Sequence, residues 1–297
     1  MCGNPRMLNI YITGSAGLVA SKVIEDLPKD WVLFTPEVDE VDITNYEVLQ
    51  RYFADKKLDA IINFAAITDV DGAEKERGDE KGLCWRVNVN GAVNLAQLAK
   101  EKQTLMIQIS TDFVFSGRSG PYSENSQLEK NESFFSWYAL TKKEAEVRVR
   151  EVYNESSLVR LSLPTGNFQN PKDNLTKLKN SIEKGYNLFA DQLRTMTWIP
   201  DITEVLGLMV ENHLEEKIFH VVTRDWASPF QFGEVIAEKL HLGQIKPGSI
   251  WEYMKKEGIA PRPIESTMLC EATQKELGLT FKTWQEVVDE FVAFAKS

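Results

Sequence analysis

The sequence predicts an α/β fold: a Rossmann-type, doubly wound parallel sheet followed by a smaller, mostly helical C-terminal substrate part. Three observations carry this expectation. Short, near-continuous apolar runs alternate with segments of helical spacing through the first half of the chain, the pattern of strands buried on both faces. A glycine-rich turn follows the first of those runs directly. Past about residue 165, glycine, proline and asparagine break the alternation, and shorter helical segments follow. We therefore expect a dinucleotide-binding domain at 1–165 and a mainly substrate-binding part at 166–297, with a soft boundary and some segments returning to the first domain.

The elements read in order as follows. Residues 8–13 are an apolar run, and 17–27 have helical spacing. Residues 31–35 make a second strand, and 45–55 a helix opening on Thr44 as N-cap. A third strand covers 59–64, a long amphipathic helix 84–100, and a fourth strand 104–110. A helix over 137–153 and a strand over 157–163 complete the alternation. Helices are then expected over 174–184, 203–214, 231–240 and 283–295.

A chain of 297 residues is long enough for one large or two modest domains. Its formal net charge of −10 argues against a nucleic-acid or anionic-membrane partner, while leaving room for a local basic pocket that takes a small anion. No apolar run reaches bilayer-spanning length, and the opening "MCGNPRMLNIYITG" has no signal-peptide architecture, so a cytoplasmic protein is expected. Cys2, Cys84 and Cys270 are odd in number and lack C-x-x-C spacing, which fits free thiols in a reducing compartment. His213, His220 and His241 have no cysteine or carboxylate at ligand spacing, so they read as structural and no metal is expected.

In "YITGSAGLVASK", Gly14, Gly17 and Ala20 fall at a strand–helix junction. Glycine at 14 and 17 allows a tight turn and lets backbone amides approach a pyrophosphate, and the helix N-terminus favours its charge. A plain tight turn is the competing reading of these residues. The expected cofactor is NAD(H) or NADP(H). From Val32 to Gln50 there is no Lys or Arg, whereas Glu37, Asp39, Glu40 and Asp42 are present, which leans toward NAD and a free ribose 2′-hydroxyl. Lys22 on the first helix is the cation that could counter that lean.

Two further stretches carry chemistry. The fourth strand ends on "STDFVF", placing Ser110, Thr111 and Asp112 where parallel sheets bind ligands. "WYALTKKEAE" sets Tyr138 and Lys142 four apart, on one helical face. A cation beside a phenol, together with a cofactor charge, can lower its pKa toward the working range for acid–base catalysis, and Thr111 would hydrogen-bond a substrate carbonyl as charge develops. An ordinary surface pair and a capped strand end are the bland alternatives.

With these pieces the chain resembles the extended short-chain dehydrogenase/reductases, and among them the dTDP-4-dehydrorhamnose reductases. The resemblance runs over nearly the full length through "TGSAGLVA", "NFAAITDVDGAE", "VNVNGAVNLA", "STDFVFSG", "YALTKKEAE", "FADQLRT" and "RPIESTML". It implies NAD(P)H-dependent reduction of the 4-keto group of a nucleotide-linked 6-deoxy sugar, as in dTDP-L-rhamnose biosynthesis. It implies Thr111, Tyr138 and Lys142 as the catalytic set, with Tyr138 and Lys142 also meeting the cofactor. It places Gly17, Leu18 and Val19 at the pyrophosphate, Asp42 and Ile43 at the adenine, and Ala65, Ala66 and Ile67 under the cofactor, with Thr111 and Asp112 facing the sugar. A homodimer is the expected assembly.

The same resemblance gives Phe113 its meaning. A related dehydratase has a Glu after the Thr-Asp, because removing water needs an extra acid and base; Phe113 can neither take nor give a proton. It would fill core or pack on the sugar. The family's tryptophan near the sugar falls at Leu163, and its glycine-serine-proline run is replaced by a segment containing Arg194, a candidate diphosphate clamp. Arg262 is expected on the substrate side. Two other readings accompany this one: a nucleotide-sugar epimerase with tightly held NAD, and a non-catalytic regulatory subunit similar to the methionine adenosyltransferase β subunit.

Overall fold

The computed structural model describes residues 7–297 of the chain; Cys2 lies outside them. Its centre is a six-stranded parallel sheet of β1 (Asn9–Thr13), β2 (Val32–Phe34), β3 (Ala60–Asn63), β4 (Leu105–Thr111), β5 (Ser157–Leu161) and β6 (Ile218–Val221). The order across the sheet is β2-β1-β3-β4-β5-β6, every neighbouring pair parallel. The strand order reverses between β1 and β3, and ligands of such sheets sit outside the carboxyl ends at that point.

The strands lack polar alternation because both faces are covered. Ile10, Ile12, Ile62 and Ile107 pack on one side against α1 (Leu18–Asp26) and α6 (Ile199–Glu211). Tyr11, Ile61 and Met106 point to the other side, against α2 (Tyr46–Phe53), α3 (Ala92–Lys102) and α4 (Trp137–Val152). A third core joins α5 (Asn174–Glu183), α7 (Pro229–Leu240) and α8 (Trp284–Lys296) through Leu175, Ile182, Phe232, Ile236 and Phe291. Among the described residues no helix is long and apolar enough to cross a membrane.

Several boundaries differ from those the sequence predicts. Asn45, not Thr44, caps α2: its side chain accepts from Val48 N at 3.3 Å, while Thr44 Oγ1 accepts from Arg86. The long helix expected over 84–100 is interrupted; Leu83–Trp85 runs into a π-helical stretch, Arg86–Gly91, before α3. Strand β5 stops at Leu161, and Leu163 beyond it is left-handed at φ 42°. Helix α6 begins at Ile199, with a proline in its first turn where it replaces an orphan N–H at no cost. Strand β6, the short helices Val70–Glu74, Ile250–Met254 and Glu271–Leu277, and two two-residue ribbons are additions to the sequence reading.

Candidate active site

The phosphate turn is built on backbone geometry that only glycine tolerates at its first position. Gly14 has φ 65°, and a Cβ there would lie 2.9 Å from Ala65 N. Gly17 N donates to Gly14 O at 2.9 Å, closing the turn, and Gly17 caps α1 with no side-chain hydrogen bond. Of the other helices of eight or more residues, α2, α4, α5, α7 and α8 have a capping side chain, whereas α3 and α6 do not. At α1 the uncapped amides of Leu18 and Val19 lie directly after the glycine turn at the carboxyl end of β1, which fits a dinucleotide pyrophosphate.

The floor beside this turn is fixed by a buried polar ladder. Thr13 Oγ1 donates to Asn63 Oδ1 at 2.6 Å and accepts from Ala65 N at 3.0 Å. Asn63 Nδ2 then donates to Gln108 Oε1, and Gln108 Nε2 to Ile109 O, each at 2.8 Å. Asn88, inside the π-helical stretch, grips both backbone groups of Ile67: its Oδ1 accepts from Ile67 N at 2.8 Å and its Nδ2 donates to Ile67 O at 3.1 Å. Asn88 Nδ2 also donates to Thr141 Oγ1 at 2.9 Å, so one side chain links the 65–67 segment to the helix of Tyr138 and Lys142. Sequence reasoning passed over Thr13, Asn63, Asn88 and Gln108, although polar residues inside apolar strand runs were the available signal. Asp42 and Ile43 sit between β2 and α2, where Asp42 Oδ1 accepts from Thr44 N and the Ile43 carbonyl from Asn94 Nδ2, both at 2.8 Å.

Tyr138 and Lys142 both lie on α4, started by Ser136, whose hydroxyl accepts from Ala139 N at 3.2 Å. Both are buried, Tyr138 at 8% and Lys142 at 4% exposure. Lys142 Nζ donates to Ile109 O at 2.8 Å, the end of the polar ladder. Burial pulls its ammonium down to about 8, against the opposing charge of Glu146 one turn on. Burial dominates and pushes the Tyr138 pKa up, a hydrogen bond with Thr111 and the charge of Arg194 only partly opposing it. The Phe113 ring meets the Tyr138 ring edge-on, with centroids 5.7 Å apart.

Asp112 is 1% exposed, and its carboxylate is fully engaged. Thr111 Oγ1 donates to Asp112 Oδ1 at 3.1 Å, and Asp112 Oδ2 accepts from Ser162 at 3.0 Å and Ser266 at 2.6 Å. Arg194 Nη2 closes the set at 2.7 Å. Asp112 therefore braces the site and does not face the sugar directly, a correction to the expectation. Arg194 keeps one buried donor, Nε, without a partner, and its guanidinium lies 5.4 Å from the Phe113 ring centroid.

A cavity of about 930 Å³ opens between the carboxyl ends of the sheet and the C-terminal helices. Phe113, Leu163, Arg194 and Arg262 line it together, and Lys177 and Lys256 add two cations the sequence reading did not single out. Glu252 is the one carboxylate among its lining residues. Arg262 is less free than expected: its Nη1 and Nη2 fork onto Asp71 at 2.9 and 2.7 Å, holding that carboxyl below its usual range. A second cavity of about 600 Å³, lined by Leu8, Trp31 and Thr104, opens at the opposite, amino ends of the strands, away from Thr111 and Tyr138.

Residues 8–296 match the model of the RmlD substrate binding domain family. The chain is 27% identical to the dTDP-4-dehydrorhamnose reductase of Aggregatibacter actinomycetemcomitans, over 98% of this chain and 100% of that one. It is 25% identical to the spore coat polysaccharide biosynthesis protein SpsK of Bacillus subtilis, covering 96% and 97%. Among solved structures, the dTDP-4-dehydrorhamnose reductase of Bacillus anthracis in complex with NADP superposes with a TM-score of 0.85 at 24% identity, over 98% of this chain and 100% of the other.

Proposed function

The chain belongs to the RmlD substrate binding domain family, and on that premise we propose that it is an NAD(P)H-dependent oxidoreductase reducing the 4-keto group of a nucleotide-linked 6-deoxy sugar, as in dTDP-L-rhamnose biosynthesis. The observation that carries the reading is a buried Tyr138 whose ring packs against Phe113, itself a wall of a large cavity whose lining is basic in an acidic chain.

When bound, the reduced nicotinamide supplies the hydride to the keto carbon. Tyr138 holds the proton destined for the keto oxygen, and its raised pKa keeps the phenol in the donor form at neutral pH. Thr111 aligns that phenol and is itself held by Asp112. Phe113 covers the Tyr138 ring and carries no proton, which suits plain ketone reduction and not dehydration. Lys142, charged below about pH 8, would hold the cofactor ribose, while Leu18 and Val19 amides would hold the pyrophosphate. On the substrate side, the guanidinium of Arg194, which lines the cavity, would contact the diphosphate. Lys177 and Lys256, which form no ion pair among the described residues, would supply its countercharge. The same reading carries a cytoplasmic location and a homodimer.

The test is oxidation of NADH and of NADPH by freshly generated dTDP-4-keto-6-deoxy sugar, before and after 3,5-epimerisation. Oxidation names the cofactor and the accepted stereochemistry. Cofactor binding with no oxidation by either sugar would point to a different nucleotide sugar, to an epimerase or to a regulatory subunit.

A further inference from the structure

A small side pocket of about 100 Å³ branches from the main cavity. Leu163, Asn174, Leu178 and Pro229 border both spaces, so the pocket adjoins the main cavity through one shared wall. Its depth is lined by Leu175, Met196 and Phe232, each no more than 2% exposed. The two polar residues at its wall each turn a donor to the protein itself. Thr165 Oγ1 donates to Asp173 at 2.8 Å, and Asn174 Nδ2 to Pro164 O at 2.7 Å. A hydroxyl or charged group entering it would lose its hydrogen bonds, and water would find few partners there.

The mouth lies near the reacting groups. Leu161 is in register with Thr111 at the end of the sheet, and Leu163 is two residues further along the same chain. Leu163 also shares the main cavity with Phe113, which touches Tyr138. As for size, an apolar cavity of about 150 Å³ accepts benzene, so this one takes roughly three to four carbon atoms.

We propose that this pocket is a specificity subsite for a compact apolar substituent on the sugar ring, larger than a single methyl group. The proposal rests on the reductase reading above and names which nucleotide sugar the site prefers: one carrying such a group next to the keto carbon. Leucine at 163 keeps the pocket open, because the larger indole of a tryptophan there would fill it.

The test compares two dTDP-linked 4-keto-6-deoxy sugars, one with a free hydroxyl beside the keto carbon and the other its methyl ether. The parent protein should favour the ether in kcat/KM by about tenfold, the lower end of what one methylene-sized group contributes in an apolar pocket. Leu163→Trp should abolish that preference. Leu178→Phe, which fills the pocket from the neighbouring helix, should do the same, so a folding failure in one variant leaves the other. Equal use of both sugars by the parent, or an unchanged preference in both variants, would overturn the proposal. If neither sugar is reduced, the reductase reading fails, and crystals under xenon pressure decide the pocket separately. Xenon bound there in the parent and excluded by Leu163→Trp keeps it as an apolar ligand subsite; a pocket without xenon removes it.

Discussion

At Tyr138 burial and hydrogen bonding pull in opposite directions, and burial wins. The phenol therefore stays protonated at neutral pH, able to give a proton and not to take one, which is the role a ketone reduction asks of it. Tyr138→Phe should leave cofactor affinity nearly unchanged and cut kcat by roughly 10²–10⁴, the usual contribution of general acid–base catalysis; steady-state turnover beside cofactor titration checks it. Lys142 gives a pH prediction. Its amine is charged below about 8 and neutral above, so cofactor affinity should be flat at lower pH and weaken as pH rises through about 8. Binding titrations across that range test this, and Lys142→Met should remove the inflection. The Tyr-Lys spacing is legible in the sequence because i,i+4 placement is a local property of a helix. The bracing of Asp112 is not, because Ser162, Arg194 and Ser266 reach it from three distant segments.

Among the elements, the sheet strands and long helices could be read because their apolar periodicity is written into contiguous residues. The two-residue ribbons and the π-helical stretch could not, since tertiary contacts decide them: Gly91 there packs so closely on Ile43 that a Cβ would lie 2.6 Å from its Cδ1. Strand β6 escaped notice because it lies between two helical segments in the half of the chain where the strand–helix alternation has already broken down. The phosphate turn supports a direct test. Gly14→Ala meets both a left-handed backbone and the Ala65 amide, so it should destabilise the fold by about 1–3 kcal/mol and weaken dinucleotide binding further. Thermal melts with and without NADPH separate the two effects. The catalytic helix offers a milder perturbation. Ser136→Ala removes the N-cap of α4 and should cost about 1 kcal/mol, read from denaturant midpoints.

Across the whole molecule, one buried polar cluster ties the catalytic helix to the far edge of the sheet. Arg160 on β5 forks onto Glu146 of α4 at 2.9 and 2.7 Å, and its Nη1 stands 3.3 Å from His220 Nε2 on β6. His220 Nδ1 in turn meets the Leu269 carbonyl at 2.9 Å. Burial and the Arg160 charge hold His220 neutral, pushing its pKa down from 6.5 to about 3. The unfolded chain gains this proton below 6.5 while the folded one does not, so stability should fall as pH drops from 6.5 toward 3. Denaturant midpoints between pH 7 and pH 5 should show that decline in the parent and a flatter profile in His220→Gln. An equal slope in both would remove His220 as its source.

The sheet is completed by β6, a strand that the chain reaches only about 60 residues after it leaves β5. A ribosome adds residues at roughly 5–20 per second, so for several seconds of synthesis the nascent sheet exposes the unpaired backbone of Ser157–Leu161, an apolar edge of the kind that recruits foreign strands. The order of translation thus leaves the central sheet waiting for its own last strand, and gives molecular chaperones an interval in which to act.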